Sequence, residues 1–202
     1  MGNRATSSSS SSSSPGSFVR KAVRYSAATG EVQSCVFCNI VRGDDPQSTA
    51  LIAETRAVAA FLPRRQDGAR DHILVVPKHH VRNLSSLKVG DPAHLRMLRD
   101  MKRHGMTCAR ARHPDVVDDA AYRLVFHVPP FNSVDHLHLH VFLPPFDNFW
   151  KDFTYTGGWP WCESFEHVWQ RMGGDDSGVL EEAVETQERA GQKGEEESKS
   201  RL

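Results

Sequence analysis

The chain has 202 residues, with 25 Lys and Arg balanced by 25 Asp and Glu, and 39% of its residues are hydrophobic. This length suits one globular domain rather than two, and the balanced charge gives no indication of a nucleic-acid partner. No apolar run approaches the ~18 residues of a membrane-spanning helix, and four cysteines do not make a secreted disulfide scaffold.

The two ends of the chain differ in composition from the middle. Residues 1–33 include an unbroken serine run at positions 7–14, and residues 173–202 carry nine acidic and four basic side chains. Segments of this kind have little apolar surface to bury. We therefore predict disordered segments at 1–33 and 173–202, flanking one domain at 34–172.

The first half of this domain predicts a short helix and three strands. The helix covers residues 35–42 and ends at Gly43. Two β-like runs at 50–54 and 57–62 suggest a hairpin, followed by a polar loop at 63–71. The β-branched run at 72–76 predicts a buried strand that ends at Pro77.

The second half predicts one long helix, two strands and a closing helix. Asp91 is a favourable N-cap before Pro92, and apolar residues recur at helical spacing to about Arg112. Strands are expected at 122–128 and 136–143, and the closing helix at 163–171. The order predicts an α+β fold, with an antiparallel sheet of about five strands packed with one long and two short helices.

The segment DHLHLHVF at 135–142 is the strongest functional feature. Side chains alternate between the faces of a strand, so His136, His138 and His140 share one face while the residues between them enter the core. Imidazole can act as nucleophile, acid or base near neutral pH, and it also ligates metals. The pattern alone is consistent with direct phosphoryl transfer by imidazole and with a metal site made of three histidines.

The preceding turn favours a phosphate ligand. Asn132, Ser133 and the backbone N–H groups around Val134 are hydrogen-bond donors of the kind that hold an anion. A metal-dependent hydrolase needs a further carboxylate or a bound water, and alternation points the adjacent Asp135 away from the histidine face.

HLHLHVF at 136–142 resembles the signature of the histidine-triad (HIT) superfamily. CVFCNI at 35–40, HILVVPKHH at 72–80 and FHVPPFNSVDH at 126–136 are similar to its Hint branch, in the subgroup that has FHxPPFxS before the triad. The resemblance runs from about residue 34 to 144. It implies a hydrolase or transferase that cleaves an adenylylated purine nucleotide, such as adenosine phosphoramidate or adenylylsulfate, to AMP through a covalent AMP–histidine intermediate.

The resemblance also implies the role of each site residue. His138 would be the nucleophile, His140 and Ser133 would bind phosphate oxygens, His136 would fix the geometry, and His72 would be a fourth active-site histidine. The implied nucleotide-binding residues are Asn132, Val134, Val36, Phe37, Ile40 and Phe61. Pro63 stands where the family has an acid that holds the ribose, and Asp67 is a nearby candidate to replace it.

Cofactors and partners follow from the same resemblance. The chemistry requires no cofactor, but Cys35, Cys38, His80 and His136 match the structural zinc site of some HIT proteins. Hint relatives are commonly homodimers, so a homodimer is expected. A non-catalytic nucleotide-binding adaptor remains an alternative, because all three histidines are present in either case.

Three targeting signals compete in the terminal segments. Residues 200–202, Ser-Arg-Leu, are a variant of the C-terminal peroxisome address, which a peroxisomal import receptor would read. Residues 1–6 fit a myristoylation pattern, and the serine-rich start could be a transit peptide. We favour the peroxisome, with the cytoplasm as the alternative.

Overall fold

The computed structural model describes residues 16–45 and 49–175. Within these ranges the strands are β1 (Ser17–Arg20), β2 (Val23–Ser26), β3 (Val32–Cys35), β4 (Leu51–Glu54), β5 (Val58–Phe61), β6 (Ala69–Pro77), β7 (Arg123–His127), β8 (Leu139–Phe146) and β9 (Cys162–Ser164). The four helices are α1 (Val36–Arg42), α2 (Pro92–Arg112), α3 (Phe149–Thr154) and α4 (Phe165–Arg171). Short 3-10 turns lie at Leu84–Ser86 and Asp119–Ala121.

The strands form two antiparallel sheets, which confirms the α+β class. A six-stranded sheet has the order β4-β5-β6-β8-β7-β9, and β1, β2 and β3 form a separate three-stranded sheet. Within the described ranges, no helix has both the length and the apolar character needed to cross a membrane.

One face of the large sheet is covered by α2 and α4. Asp91 caps α2 by accepting hydrogen bonds from the N–H groups of Ala93 and His94. At Gly105 the helix lies so close to the sheet that an added Cβ would be 2.9 Å from a Val141 methyl group and 3.0 Å from one of Val75. Glycine therefore permits this close packing of helix on sheet.

The opposite face carries the histidines between two apolar clusters. The α1-side cluster contains Phe37, Ile40, Phe61, Leu74 and Val134, together with neighbours from β2 and β5. The β9-side cluster contains Val125, Phe142 and Cys162, with Phe146, Tyr155 and Trp161 packed against it. The strand order thus gives the histidine face two distinct flanks.

Several boundary predictions are wrong. Residues 16–33 lie in ordered structure that includes β1, β2 and the start of β3, although the sequence suggested disorder for 1–33. In the described part of the chain the large sheet has six strands, where about five were predicted, and α3 is a short helix beyond the two that were predicted. β6 begins inside the predicted loop at 63–71, β7 is one residue shorter at each end than predicted, and residues 162–164 form β9 before α4 begins.

The predictions for the terminal segments cannot be compared with this fold. The serine run, the myristoylation pattern, residues 200–202 and all of the acidic tail beyond residue 175 lie outside the described residues. The other predicted helices and strands agree with the structure to within two residues at each end, except β6 and β8.

Candidate active site

His138 lies just before β8, with its tautomer fixed by the backbone. Its Nδ1 is 2.6 Å from the carbonyl oxygen of His136. A carbonyl only accepts hydrogen bonds, so Nδ1 carries the proton and Nε2 keeps a free lone pair. Burial lowers the pKa of His138 to about 4, so the ring is neutral at pH 7. The geometry leaves Nε2 as a nucleophilic nitrogen.

The strand predicted at 136–143 begins only at Leu139 in the structure, so His136 lies outside the sheet. Residues 136–138 leave the β-ladder, where the Leu137 N–H donates to the Val81 carbonyl at 2.6 Å, and β8 begins at Leu139. Leu137, Leu139 and Val141 still enter the core as predicted.

His140 and His72 form a coupled pair across β8 and β6. His72 Nε2 is 2.9 Å from His140 Nδ1, and both rings are buried. Burial lowers the pKa of His72 to about 3 and that of His140 well below its usual value. The Asp67 carboxylate lies 3.7 Å from His72 Nδ1, so it faces this pair. His72 therefore joins the cluster, as the resemblance implied.

His127, at the end of β7, is a site residue that the sequence analysis did not single out. Its ring centroid is 4.4 Å from that of His140 and 6.3 Å from that of His138. Burial lowers its pKa despite the opposing effect of Asp67. The motif FHVPPFNSVDH contains this histidine, but the pairing of β7 with β8 is what shows that it reaches the site.

The residues expected to line the nucleoside pocket come together in the α1-side cluster. Phe37 is the central one, because its ring centroid is 5.3 Å from that of His138 and 5.4 Å from that of Phe61. Ile40 and Val134 are buried in the same cluster, and Val36 packs at its edge, half-buried. Phe37 therefore connects this apolar cluster to the His138 ring.

The turn before the histidines is braced by buried polar contacts. The Asn132 amide donates to the Val134 carbonyl at 3.0 Å, so this donor holds the turn, whereas Ser133 is exposed. Asp135 points away from the histidine face, as expected. Its buried carboxylate accepts hydrogen bonds from Tyr25, Arg82 and Asn83.

Cys35, Cys38, His80 and His136 converge beside this cluster in an arrangement that fits a tetrahedral metal. His136 Nδ1 lies 3.4 Å from Cys35 Sγ and 3.5 Å from Cys38 Sγ, and His80 Nδ1 lies 3.4 Å from Cys38 Sγ. A tetrahedral zinc ion with ordinary bond lengths places sulfur and nitrogen ligands about 3.5 Å apart.

The protonation of these side chains also fits a metal. His136 Nε2 is 3.0 Å from the Pro77 carbonyl and so carries the proton, which leaves the Nδ1 lone pair toward the sulfurs. The hydrogen bond from the Cys38 thiol lowers the pKa of Cys35 despite its burial, which favours a thiolate. The donor set suits zinc.

The alternative site made of the three triad histidines is not formed. Among the described residues, the histidine that groups with both His138 and His140 is His127, whereas His136 groups with the cysteines.

An antiparallel sheet with a His-x-His-x-His segment at the start of a central strand defines the class of histidine-triad proteins. The family model described as "Scavenger mRNA decapping enzyme C-term binding" matches residues 34–153. The chain belongs to this family, within the HIT superfamily.

Two named relatives are similar over most of the domain. The bifunctional adenosine 5'-phosphosulfate phosphorylase/adenylylsulfatase HINT4 of Arabidopsis thaliana is 37% identical over 62% of this chain and 81% of that protein. The adenosine 5'-monophosphoramidase HINT3 of Danio rerio is 37% identical over 59% of this chain and 69% of that protein. A HIT family hydrolase from Legionella pneumophila, whose structure has been solved, is 28% identical over 58% of this chain and 97% of that chain, with a TM-score of 0.47.

Proposed function

We propose that the protein hydrolyses adenylylated substrates of the adenosine phosphoramidate or adenylylsulfate type and releases AMP. The observation that carries the proposal is the contact between His138 Nδ1 and the His136 carbonyl, which leaves a neutral imidazole with a free Nε2 beside the α1-side cluster. The activities named for the two relatives are of this kind. The same pattern of residues therefore supports the same chemistry here.

The reaction would take place in two displacements. In the first, the His138 Nε2 lone pair forms a bond to the α-phosphorus. The bond from phosphorus to the leaving atom breaks, and that atom keeps the electron pair. An amide nitrogen takes a proton from solvent and leaves as the amine, whereas sulfate leaves as the anion. In the second, a water oxygen bonds to phosphorus, the P–N bond breaks, its electrons return to Nε2, and AMP leaves as the water loses a proton.

The other residues would support these steps. His140 and Ser133 would bind the phosphate oxygens, and His72 would hold His140 through the 2.9 Å contact between their rings. Phe37, Phe61, Ile40, Val36 and Val134 would contact the nucleoside, together with the turn that Asn132 closes. Asp67 contacts the histidine pair, so we do not assign it to the ribose.

The test is AMP release from adenosine phosphoramidate and from adenylylsulfate, with and without a chelator. We expect turnover that resists the chelator and falls at least a thousandfold in His138→Ala. His167→Ala is the control, because His167 is an exposed histidine on α4. Activity that survives in His138→Ala would contradict the nucleophile, and binding of AMP without turnover would favour the adaptor.

We propose that Cys35, Cys38, His80 and His136 hold a structural zinc ion. When bound, zinc would cross-link β3, α1 and the segments after β6 and before β8, which stabilises the fold beside the site. The purified protein is expected to contain one zinc per chain by elemental analysis, and Cys35→Ser to contain much less and to melt at a lower temperature. Equal zinc content in both would contradict the site.

We propose, from the terminal signal and the family resemblance, a peroxisomal location and a homodimer. Residues 200–202 would bind the import receptor, and a fluorescent protein fused to the N-terminus would move from peroxisomes to the cytoplasm when these residues are deleted. Light scattering at micromolar concentration would give the mass of two chains. A full-length fusion found in the cytoplasm would contradict the peroxisomal location. A measured mass equal to one chain would contradict the homodimer.

A further inference from the structure

We propose that Asp67 is a positioning residue, which forms with His72 and His140 a relay that takes up one proton as the phosphate group of the nucleotide binds. The inference rests on the proposed function, in which His140 holds a phosphate oxygen. An Asp67 carboxylate oxygen lies 3.7 Å from His72 Nδ1, and His72 Nε2 lies 2.9 Å from His140 Nδ1. A carboxylate therefore faces one end of the histidine pair, and the proposed phosphate faces the other.

Two buried nitrogen atoms at the ends of the pair have no hydrogen-bond partner in the described part of the chain. They are His72 Nδ1 and His140 Nε2, in residues that are 1% and 5% exposed. The carboxylate at 3.7 Å faces His72 Nδ1 but is too distant for a hydrogen bond. Buried polar atoms in native proteins are normally satisfied, so these two call for an explanation. A proton and a bound anion would satisfy both ends of the pair.

The Asp67 carboxylate determines where the protons of the pair lie. A carboxylate oxygen only accepts hydrogen bonds, so it favours a proton on His72 Nδ1. His72 Nε2 then accepts from His140 Nδ1, and His140 Nε2 keeps a lone pair. An ionised phosphate oxygen also only accepts hydrogen bonds. His140 can therefore donate to the phosphate only after Nε2 has bound a proton.

The uptake of this proton is coupled to the arrival of the anion. Burial lowers the pKa of His72 to about 3 and that of His140 well below its usual value, so the pair is neutral at pH 7 in the free protein. A proton from solvent bonds to the Nε2 lone pair of His140, and no other bond breaks. The positive charge it brings then lies between the phosphate at one end and Asp67 at the other, and both favour it.

The loop that carries Asp67 is held in a defined conformation. Asp67 has a φ of 50° and Gly68 a φ of 73°, so both lie in the left-handed region. Aspartate adopts this region more readily than most residues with a side chain. The Gly68 carbonyl accepts a hydrogen bond from the Asp147 N–H at 2.6 Å, and a Cβ at Gly68 would collide with the Asp147 carboxylate. These contacts keep the Asp67 carboxylate beside His72.

Other titratable groups face the pair from the surrounding elements. Among the described residues they are Asp71 on β6, His127 on β7, His138 just before β8, Tyr155 at the end of α3 and Cys162 on β9. Asp71 accepts hydrogen bonds from Arg112 and His113, and burial raises the pKa values of Tyr155 and Cys162, so none of these three changes charge near pH 6. Burial lowers the pKa of His127, and Asp67 opposes this fall. The experiment must therefore separate His127 from the pair.

Titration calorimetry with the methyl ester of AMP measures the proton directly. The ester has one phosphate charge, which does not titrate near neutral pH, and methoxide is too poor a leaving group to depart. The titrations are done at about pH 6 in buffers that differ in ionisation enthalpy. The slope of the observed binding enthalpy against the ionisation enthalpy of the buffer gives the number of protons taken up on binding.

We expect the wild type to take up roughly half a proton or more, Asp67→Asn less than half of the wild-type value, and Asp67→Glu an intermediate amount. Asp147→Asn is the matched control, because its exposed carboxylate lies beside the same loop and faces Lys151. His127→Gln is expected to keep the wild-type uptake. Thermal melting confirms that each variant is folded, and a merely structural role of Asp67 would leave the slope unchanged.

The outcomes separate this inference from the proposed function. Equal proton uptake in the wild type and Asp67→Asn overturns the inference alone, and weaker binding at equal uptake overturns it in favour of a contact between Asp67 and the nucleotide. Loss of the uptake in His127→Gln assigns the proton to His127 and also overturns it. A wild type that neither binds the ester nor releases AMP from adenosine phosphoramidate or adenylylsulfate overturns the proposed function and this inference with it.

Discussion

The backbone rather than a side chain prepares the proposed nucleophile. A histidine tautomer is set by whatever its other nitrogen contacts, and for His138 that contact is the His136 carbonyl at 2.6 Å. The same principle orients His136, whose Nε2 contacts the Pro77 carbonyl at 3.0 Å. His138 therefore has Nε2 free for the substrate, whereas His136 directs Nδ1 toward the cysteines.

The contact between His72 and His140 predicts a second kinetic effect at the residue scale. His72→Phe removes the 2.9 Å hydrogen bond and keeps a ring of similar size over Phe142. Loss of one buried hydrogen bond is worth about 1 kcal/mol, so kcat is expected to fall roughly fivefold with little change in KM. His167→Phe is the matched control. A normal kcat in His72→Phe would show that His72 does not position His140.

At the scale of elements, the close packing of α2 on the sheet predicts an unusual cost for a small substitution. In an exposed helix, replacing glycine with alanine stabilises by about 1 kcal/mol. At Gly105 the new methyl group would meet Val141 at 2.9 Å and Val75 at 3.0 Å. We expect Gly105→Ala to lower the free energy of unfolding by about 1–2 kcal/mol.

Urea denaturation checks this cost. Arg96→Ala, at an exposed position of the same helix, is the control and is expected to change little. In a Val141→Ala background, where the methyl groups of Val141 are removed, Gly105→Ala should cost less. A stabilised Gly105→Ala single variant would contradict the packing argument.

Local sequence patterns predicted some of these helices and strands and missed others. The α2 helix has an N-cap aspartate, a proline at its first position and regular apolar spacing, and its predicted limits are confirmed. β1 and β3 have only four residues each and are almost wholly exposed, so they lack the alternation that marks a strand. They are ordered by pairing with β2, which no local pattern reports.

The candidate site could be predicted only in part, namely the part that depends on local alternation along one strand. Alternation placed Leu137, Leu139 and Val141 in the core, and it requires no knowledge of other elements. His127 reaches the site through the pairing of β7 with β8, a contact distant in sequence.

At the scale of the whole molecule, the buried neutral histidines predict an acid-sensitive fold. Burial lowers the pKa of His72 to about 3 and also lowers those of His127 and His140. An unfolded histidine titrates near pH 6.5, so between about pH 6.5 and pH 3 the unfolded chain binds more protons than the folded one. Stability is therefore full above about pH 6.5 and falls as the pH decreases.

The midpoint of urea unfolding at pH values of about 7.5, 6 and 5 measures this dependence. We expect the midpoint to fall from the first pH to the last, and less steeply in His72→Phe, which lacks one of the titrating groups. The Asp71 carboxylate does not interfere in this range. Its burial would raise its pKa, but hydrogen bonds from Arg112 and His113 lower it overall, so it titrates at more acidic pH. If the midpoint falls equally steeply with pH in the wild type and in His72→Phe, His72 is not one of the groups that cause the acid sensitivity.

We propose that His138 forms a covalent bond to the phosphorus of AMP during turnover. Intact-protein mass spectrometry after rapid denaturation of the enzyme during turnover of adenosine phosphoramidate tests it directly. We expect one added adenylyl group on the wild type, mapped to His138 in the peptide digest, and none on His138→Ala. Turnover with no adduct on the wild type, or an adduct on another residue, would contradict it.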